Sequence, residues 1–122
     1  MDFLSTFSTA ATGMDAQARR LRLISENIAN VDTPGFRRKM LTFEEMADRA
    51  GVAVGPVELD AAELPQIHDP SHPMSNAEGY YQGSNVSLVV EIADAREAQR
   101  SYEANLKMFD QARNMSSQLL DL

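Results

Sequence analysis

The chain has 122 residues with 11 Lys and Arg against 18 Asp and Glu, a net charge of -7 that argues against a general nucleic-acid binder, which needs a basic face to neutralise phosphates. It has no Cys, which excludes a disulfide framework and thiol chemistry, and no Trp; much of its apolar content is Ala and Met, better suited to narrow helix-to-helix seams than to a thick core. The length is that of one domain, and no segment approaches the apolar run of about 20 residues that a transmembrane helix needs.

The first predicted element is a helix of about 28 residues, roughly 42 Å long at 1.5 Å per residue. Its apolar residues Phe3, Phe7, Ala10, Met14, Leu21, Ile24 and Ile28 recur at spacings of three, four and seven. This is a heptad seam interrupted by polar Gln17. Arg19, Arg20 and Arg22 flank it, as a solvated face or as partners of an acidic neighbour.

The helix must stop where Thr33 meets Pro34, because the proline ring disfavours the α conformation at the residue before it. Pro34-Gly35 supplies the fixed φ and the tolerated positive φ of a type II turn. Asn27 and Asn30 suit the helix end, where side-chain amides satisfy the last carbonyls.

Between Arg37 and Gly83 the periodicity breaks up under four Pro and four Gly. Lys39 to Phe43 and Val52 to Leu59 read as short strands of a small irregular module with one β-hairpin. Glu44 to Ala50 reads as two turns of helix. The acid is concentrated here: residues 44–85 hold one basic and eight acidic groups (-7), against +2 for residues 1–43 and -2 for residues 86–122. Such a module is solvated or faces a partner.

The same module holds the two histidines, in His68-Asp69-Pro70-Ser71-His72. A His-x-x-x-His pair binds metal well on a helix, but Pro70 argues against one, and no Cys or further His is available as a third ligand. They read as solvated loop residues. No catalytic residue, metal or cofactor site is assigned.

Helical periodicity returns at Ser87, the predicted N-cap, with Asn85 as the alternative and Glu91 as an acid favoured by the macrodipole in the first turn. Leu88, Ile92, Ala95, Tyr102, Leu106 and Phe109 form a second seam through polar Gln99, which shifts to Ala112, Met115, Leu119 and Leu122. This helix is expected to run on the order of 35 residues. The predicted fold is therefore mainly α. Two long terminal helices pair as an antiparallel, coiled-coil-like hairpin with their seams against each other, around a small irregular or β-hairpin middle module. The segments are 1–36 (helix and turn), 37–84 (middle) and 85–122 (second helix). A two-helix hairpin has little interior, so its ends are expected to fray in the monomer and to order on assembly.

Two strings say more. Ser25, Asn27, Ile28, Ala29, Asn30, Thr33, Pro34, Gly35 and Phe36, followed by Arg37-Arg38-Lys39, resemble the N-terminal signature of bacterial flagellar rod and hook proteins. Glu91 to Leu106, with Arg100, Tyr102 and Asn105, resembles their C-terminal helix. The short middle segment resembles the small proximal rod proteins rather than the longer distal ones. Ser84 and Ser87 depart from the Pro and Asn common in the subclass it looks most like, so the neighbouring proximal rod protein FlgB is an alternative.

The resemblance implies a structural subunit of the basal-body rod, stacked into a helical tube that crosses the periplasm, transmits motor torque and encloses the export channel. It implies as partners further copies of the chain, FlgB, FlgF, FlgG, the rod adaptor FliE and the surrounding basal-body rings, with no nucleic acid and no membrane insertion. It also implies passage through the flagellar type III export apparatus, in keeping with a start, Met1-Asp2, that does not read as a cleaved signal peptide. Assembly contacts are expected from Phe3, Phe7, Met14, Leu21, Ile24 and Ile28, from the turn Asn27, Asn30 and Pro34 to Arg38, and from Ile92, Arg100, Tyr102, Asn105, Leu106 and Phe109. A cytosolic helical-hairpin adaptor or export chaperone would share the seams.

Overall fold

The computed structural model describes residues 2–121. Helix α1 spans Phe3–Ala29 and helix α2 Leu88–Leu120, with six short strands between them: β1 (Lys39–Met40), β2 (Phe43–Glu45), β3 (Val52–Val54), β4 (Glu58–Leu59), β5 (Gln66–His68) and β6 (Tyr80–Gln82). Among the described residues no helix is long and apolar enough to cross a membrane.

Helix α1 starts because Asp2 caps it: its Oδ1 accepts the Ser5 N–H at 2.7 Å. It ends at Asn30, whose N–H bonds the carbonyls of Glu26 and Asn27 and whose side-chain amide returns to Glu26 O at 2.8 Å. The turn then forms as expected. Phe36 N–H donates to Thr33 O at 3.2 Å, and Gly35 sits at φ 75°, where a side chain would be strained.

The middle module is better ordered than its punctuation suggests. β1 pairs with β4 and β2 with β3, both antiparallel, and together they make one interrupted hairpin. Between Met40↔Glu58 and Phe43↔Val54, two residues (Leu41, Thr42) face three (Gly55, Pro56, Val57), so the hairpin carries a bulge, closed by Gly55 N–H to Thr42 O at 2.8 Å. Pro56, which has no N–H to give a ladder, falls within it. The helix expected over Glu44 to Ala50 does not form. Glu44 and Glu45 pair with Ala53 and Val52, and Met46 N–H bonds Gly51 O, so strand pairing takes the backbone groups a two-turn helix would have used. A second pair, β5 with β6, was not anticipated at all.

The helices pack antiparallel, as successive contacts show: Phe7 meets Phe109 edge-on at 5.1 Å, Gly13 lies against Asn105, and Arg20 reaches Asp94 at 3.6 Å. Their facing lines differ from the predicted seams. On α1 the buried positions are Ala10, Gly13, Ala16, Ile24 and Asn27, and Met14, Leu21 and Ile28 are only half-buried. On α2 they are Glu91, Ala98 and Ala112, with Asn105 half-buried on the same heptad line and Ser101 half-buried beside it. Leu88, Ile92, Tyr102 and Leu106 stay exposed. Small residues win the contact because they let two backbones approach closely: a Cβ added at Gly13 would lie 2.8 Å from the Asn105 amide. Large aliphatics at those positions would hold the helices apart. Leu122 of the predicted seam lies outside the described residues.

The bulged hairpin lies on the other side of α1. Ser8 Oγ donates to Ala50 O at 2.7 Å and Val52 N–H donates to Thr12 Oγ1 at 3.0 Å. At about 100° per residue, Ser8 and Thr12 project well away from the Ala10–Gly13–Ile24 line that meets α2. The molecule is thus three layers in order, α2, α1 and the hairpin.

A buried polar clamp and an uncovered apolar stripe

The turn after α1 is fastened to the start of α2 by a polar cluster. Asn27, 1 % exposed, imitates a strand partner for Lys39: its Nδ2 donates to Lys39 O and its Oδ1 accepts Lys39 N–H, each at 2.9 Å. The same Nδ2 also lies 3.4 Å from Glu91 Oε2. Glu91, 0 % exposed, accepts from Arg38 Nε at 2.5 Å, and Arg38 Nη2 donates to Asp94 Oδ2 at 2.7 Å. Arg38 Nη1 stands 3.9 Å from Asp60, and Arg20 shares Asp94 at 3.6 Å.

Around this core, Asn85 Oδ1 accepts Arg38 N–H at 2.6 Å while its Nδ2 donates to the carbonyls of Asp60 and Ala62. Arg37 Nη1 donates to the same two carbonyls, at 3.1 and 3.0 Å. Gly35 N–H reaches Gln82 O at 3.1 Å, which joins the turn to β6.

Burial works against the charge on Arg38, yet its pKa is raised, because the hydrogen bond to Glu91 and the charges of Glu91, Asp94 and Asp60 outweigh the desolvation. The guanidinium is therefore a fixed cation, and a carboxylate with 0 % exposure is tolerable only beside one. The cluster holds geometry and presents no nucleophile to solvent. Among the described residues no three His, Cys, Asp or Glu side chains converge on a metal position.

The residues singled out in the sequence divide in three. Asn27 and Arg38 lie in the clamp; Asn30, Pro34, Gly35, Phe36 and Arg37 form the turn that it fastens. Phe3, Phe7, Ile24, Asn105 and Phe109 lie at or beside the helix-to-helix contact, with Met14, Leu21 and Ile28 half-buried along α1. Ile92, Arg100, Tyr102 and Leu106 stand exposed on α2, so Arg100, Tyr102 and Asn105 point different ways.

Asn85 stands as neither cap nor spectator, and Ser87 takes the N-cap position with no hydrogen bond from its side chain. Of the three arginines on the α1 flank, Arg20 finds acids of α2, Arg19 pairs within α1 with Asp15, and Arg22 is exposed. The histidines are not simply solvated: His72 stacks on Tyr81 at 3.9 Å and His68 tilts against Tyr80 at 4.7 Å. Sequence reasoning missed Glu91 as a buried anchor. The repeat of seven that runs from it through Ala98, Asn105 and Ala112 was the available signal.

Both helical ends match known families. Residues 7–37 match the family model described as flagella basal body rod protein, and residues 77–122 match that of the flagellar basal body rod FlgEFG protein C-terminal. The two matched segments contain α1 from Phe7 onward with its turn and all of α2, so this fold is that of a flagellar rod protein, a class of structural proteins and not of enzymes.

The flagellar basal-body rod protein FlgC of Agrobacterium fabrum is 39 % identical over 100 % of this chain and 96 % of its own length. FlgC of Borreliella burgdorferi is 32 % identical over 94 % and 93 %, and that of Salmonella typhimurium 30 % over 100 % and 98 %. The chain belongs to the FlgC family of flagellar basal-body rod proteins.

Proposed function

We propose that the chain is a proximal rod subunit whose two terminal helices, residues 1–36 and 85–122, form the axial core of a helical tube, with residues 37–84 as a module on its side. The observation that carries this reading is the uncovered stripe of α2. Leu88, Ile92, Tyr102 and Leu106 follow at helical steps, each between 36 % and 45 % exposed, and the chain's own α1 turns to a different face. A row of large apolar side chains on a long helix is an interaction surface. Neighbouring helices cover it in the assembled state, with coiled-coil packing completed between subunits as well as within one.

The neighbours are further copies and the other axial proteins, FlgB, FlgF, FlgG and FliE, within the basal-body rings. The subunit reaches them through the flagellar type III export apparatus, and it lies where the rod crosses the periplasm. There it transmits torque and encloses the export channel. The Arg38–Glu91 clamp suits that load, since it ties the turn, the side module and α2 into one body.

The test is co-purification of the tagged chain with intact basal bodies, in wild type and in a Leu106→Asp variant. The reading expects the wild type in the rod fraction and the variant absent from it while still exported. Wild type confined to the cytosol would instead favour a soluble adaptor or export chaperone.

A further inference from the structure

The loop between β5 and β6, residues 69–79, is closed at its base by Asp69 N–H to Gly79 O and Asn76 N–H to Tyr80 O, each at 2.8 Å. Within it, His72 N–H donates to Asp69 O and Ser75 N–H to His72 O, each at 3.0 Å. Residues 72–75 therefore make a β-turn with Pro73 and Met74 at its centre. The peptide N–H in the middle of that turn, on Met74, donates to His72 Nδ1 at 3.1 Å. An imidazole nitrogen accepts only while it carries no proton, so this one bond depends on the charge of the ring.

The ring itself is fixed by contacts that do not depend on its charge. It stacks on Tyr81 at 3.9 Å with 11° between the planes. The Asp69 carboxyl lies below its ordinary range, held there first by the Ser71 hydroxyl at 2.7 Å against its own desolvation, then by the Ser71 N–H and the charges of His72 and His68. It is an anion wherever a histidine titrates, near pH 6.5. A cationic ring keeps both neighbours, since an aromatic face and a carboxylate each attract a cation. What a proton on Nδ1 removes is the acceptor of the Met74 N–H, and it sets one N–H against another.

Turning the Pro73–Met74 peptide over would relieve that clash only at a cost. The flipped turn is type II and needs a positive φ at Met74, a conformation that no residue but glycine adopts among the described ones. The other titratable groups nearby are His68 on β5, tilted on Tyr80 at 4.7 Å, Tyr80 and Tyr81 on β6, and Glu78 in the loop. On the two segments bonded to β6 and its end, through Gly35 and Pro65, stand exposed Asp32 and Glu63, with Arg37 held by the carbonyls of Asp60 and Ala62. Of these side-chain types, histidine alone titrates near neutrality, so His68 is the one group that shares the range of His72.

We propose that His72 is a pH-sensitive latch on the β5–β6 loop. Neutral, it holds the Met74 peptide and the turn is closed; protonated from solvent, it releases Pro73–Met74 while its own ring stays on Tyr81. Opening is confined to the turn, because Gly35 N–H to Gln82 O at 3.1 Å keeps β6 tied to the segment after α1. Met74, already 64 % exposed, swings out beside exposed Ile67, so the surface that the middle module offers changes with the acidity of its surroundings. The latch is a property of the single chain and is independent of the rod reading.

Nitrogen-15 NMR of the purified full-length chain from about pH 8 to about pH 5, either side of the histidine range, tests it. At the upper end His72 should carry its proton on Nε2. Through the His72 titration the Met74 amide proton should move upfield, and its exchange, corrected for the direct effect of pH, should quicken about fivefold with the same midpoint. His72→Asn puts a carbonyl oxygen where Nδ1 stands and does not titrate, so it should hold the Met74 amide at its neutral position throughout. His68→Asn should leave the wild-type behaviour in place. A wild-type Met74 amide that ignores the His72 midpoint, or follows that of His68, overturns the proposal whatever the variants do; so does one that still shifts in His72→Asn.

Discussion

Arg38 Nε and Glu91 Oε1 meet at 2.5 Å across 53 residues of sequence, and with that contact the turn after α1 and the first turn of α2 become one piece. The carboxylate is fully buried, and its desolvation is offset by the guanidinium and the Asn27 amide alone among its hydrogen-bond partners in the described residues. Removing either charge leaves the other stranded. Glu91→Ala should therefore cost about 3–5 kcal/mol of stability, as breaking one side of a buried pair does. Replacing both, as Arg38→Met/Glu91→Leu, should cost less than either single change. Urea denaturation of the two variants decides this; a double variant less stable than Glu91→Ala would show that the pair is worth more than its desolvation.

Gly13 predicts a reversal of sign. Glycine inside a helix is worse than alanine by about 1 kcal/mol, yet here an added methyl meets the Asn105 side chain at 2.8 Å. Gly13→Ala should lower the melting temperature in the native chain and raise it in an Asn105→Ala background. A rise in both backgrounds would mean that the close helix approach is not enforced at this point.

Acid should loosen the first turn before the rest of α1. The Ser5 backbone N–H and the further hydrogen bonds at the N-cap hold the Asp2 carboxyl below its ordinary range. A depressed carboxylate contributes stability above its unfolded value, near pH 4, and that contribution is lost as pH falls through the folded value. Amide exchange at Ser5 and Thr6 should therefore quicken below about pH 4 relative to the middle of α1. Asp2→Asn should make that ratio independent of pH; a dependence retained in the variant would place its origin elsewhere.

The two seams should respond alike to charge. Leu21, half-buried on α1, and Leu106, exposed on α2, are each open enough to accept Asp without unfolding the chain. Both variants should be exported and should lose motility in soft agar. Pro34→Ala, which only loosens a turn that Gly35 and the clamp still define, should swim more slowly but not stop. Full motility of Leu106→Asp would remove the α2 stripe from the assembly surface.

Periodicity and proline made the two helices, their ends and the turn legible, because those features are local: Asp2, Asn30, Thr33 and Pro34 act within a few residues. Which face of each helix meets the other was not legible. A heptad pattern marks where large apolar residues lie, and here the intramolecular contact uses the small ones, Ala10, Gly13, Ala16, Ala98 and Ala112, leaving the large ones outside. The predicted α2 seam is real as a stripe but faces outward. The clamp was half visible, since Asn27 and Arg38 stood in a recognisable string. Glu91, Asn85 and Asp60 join it only through contacts 22 to 64 residues apart in sequence. The β5–β6 pair is accompanied by stacking of His72 on Tyr81 and a tilted contact of His68 with Tyr80, which no short-range rule anticipates.

Hydrogen exchange along α2, compared between dilute purified chain and isolated basal bodies, tests most directly whether neighbours complete this subunit. Amides from Tyr102 to Leu119, beyond the clamp, should exchange readily in the dilute chain and become strongly protected in the basal body. Equal, strong protection in both would contradict the account, for it would mean that the lone chain already holds its second helix firm.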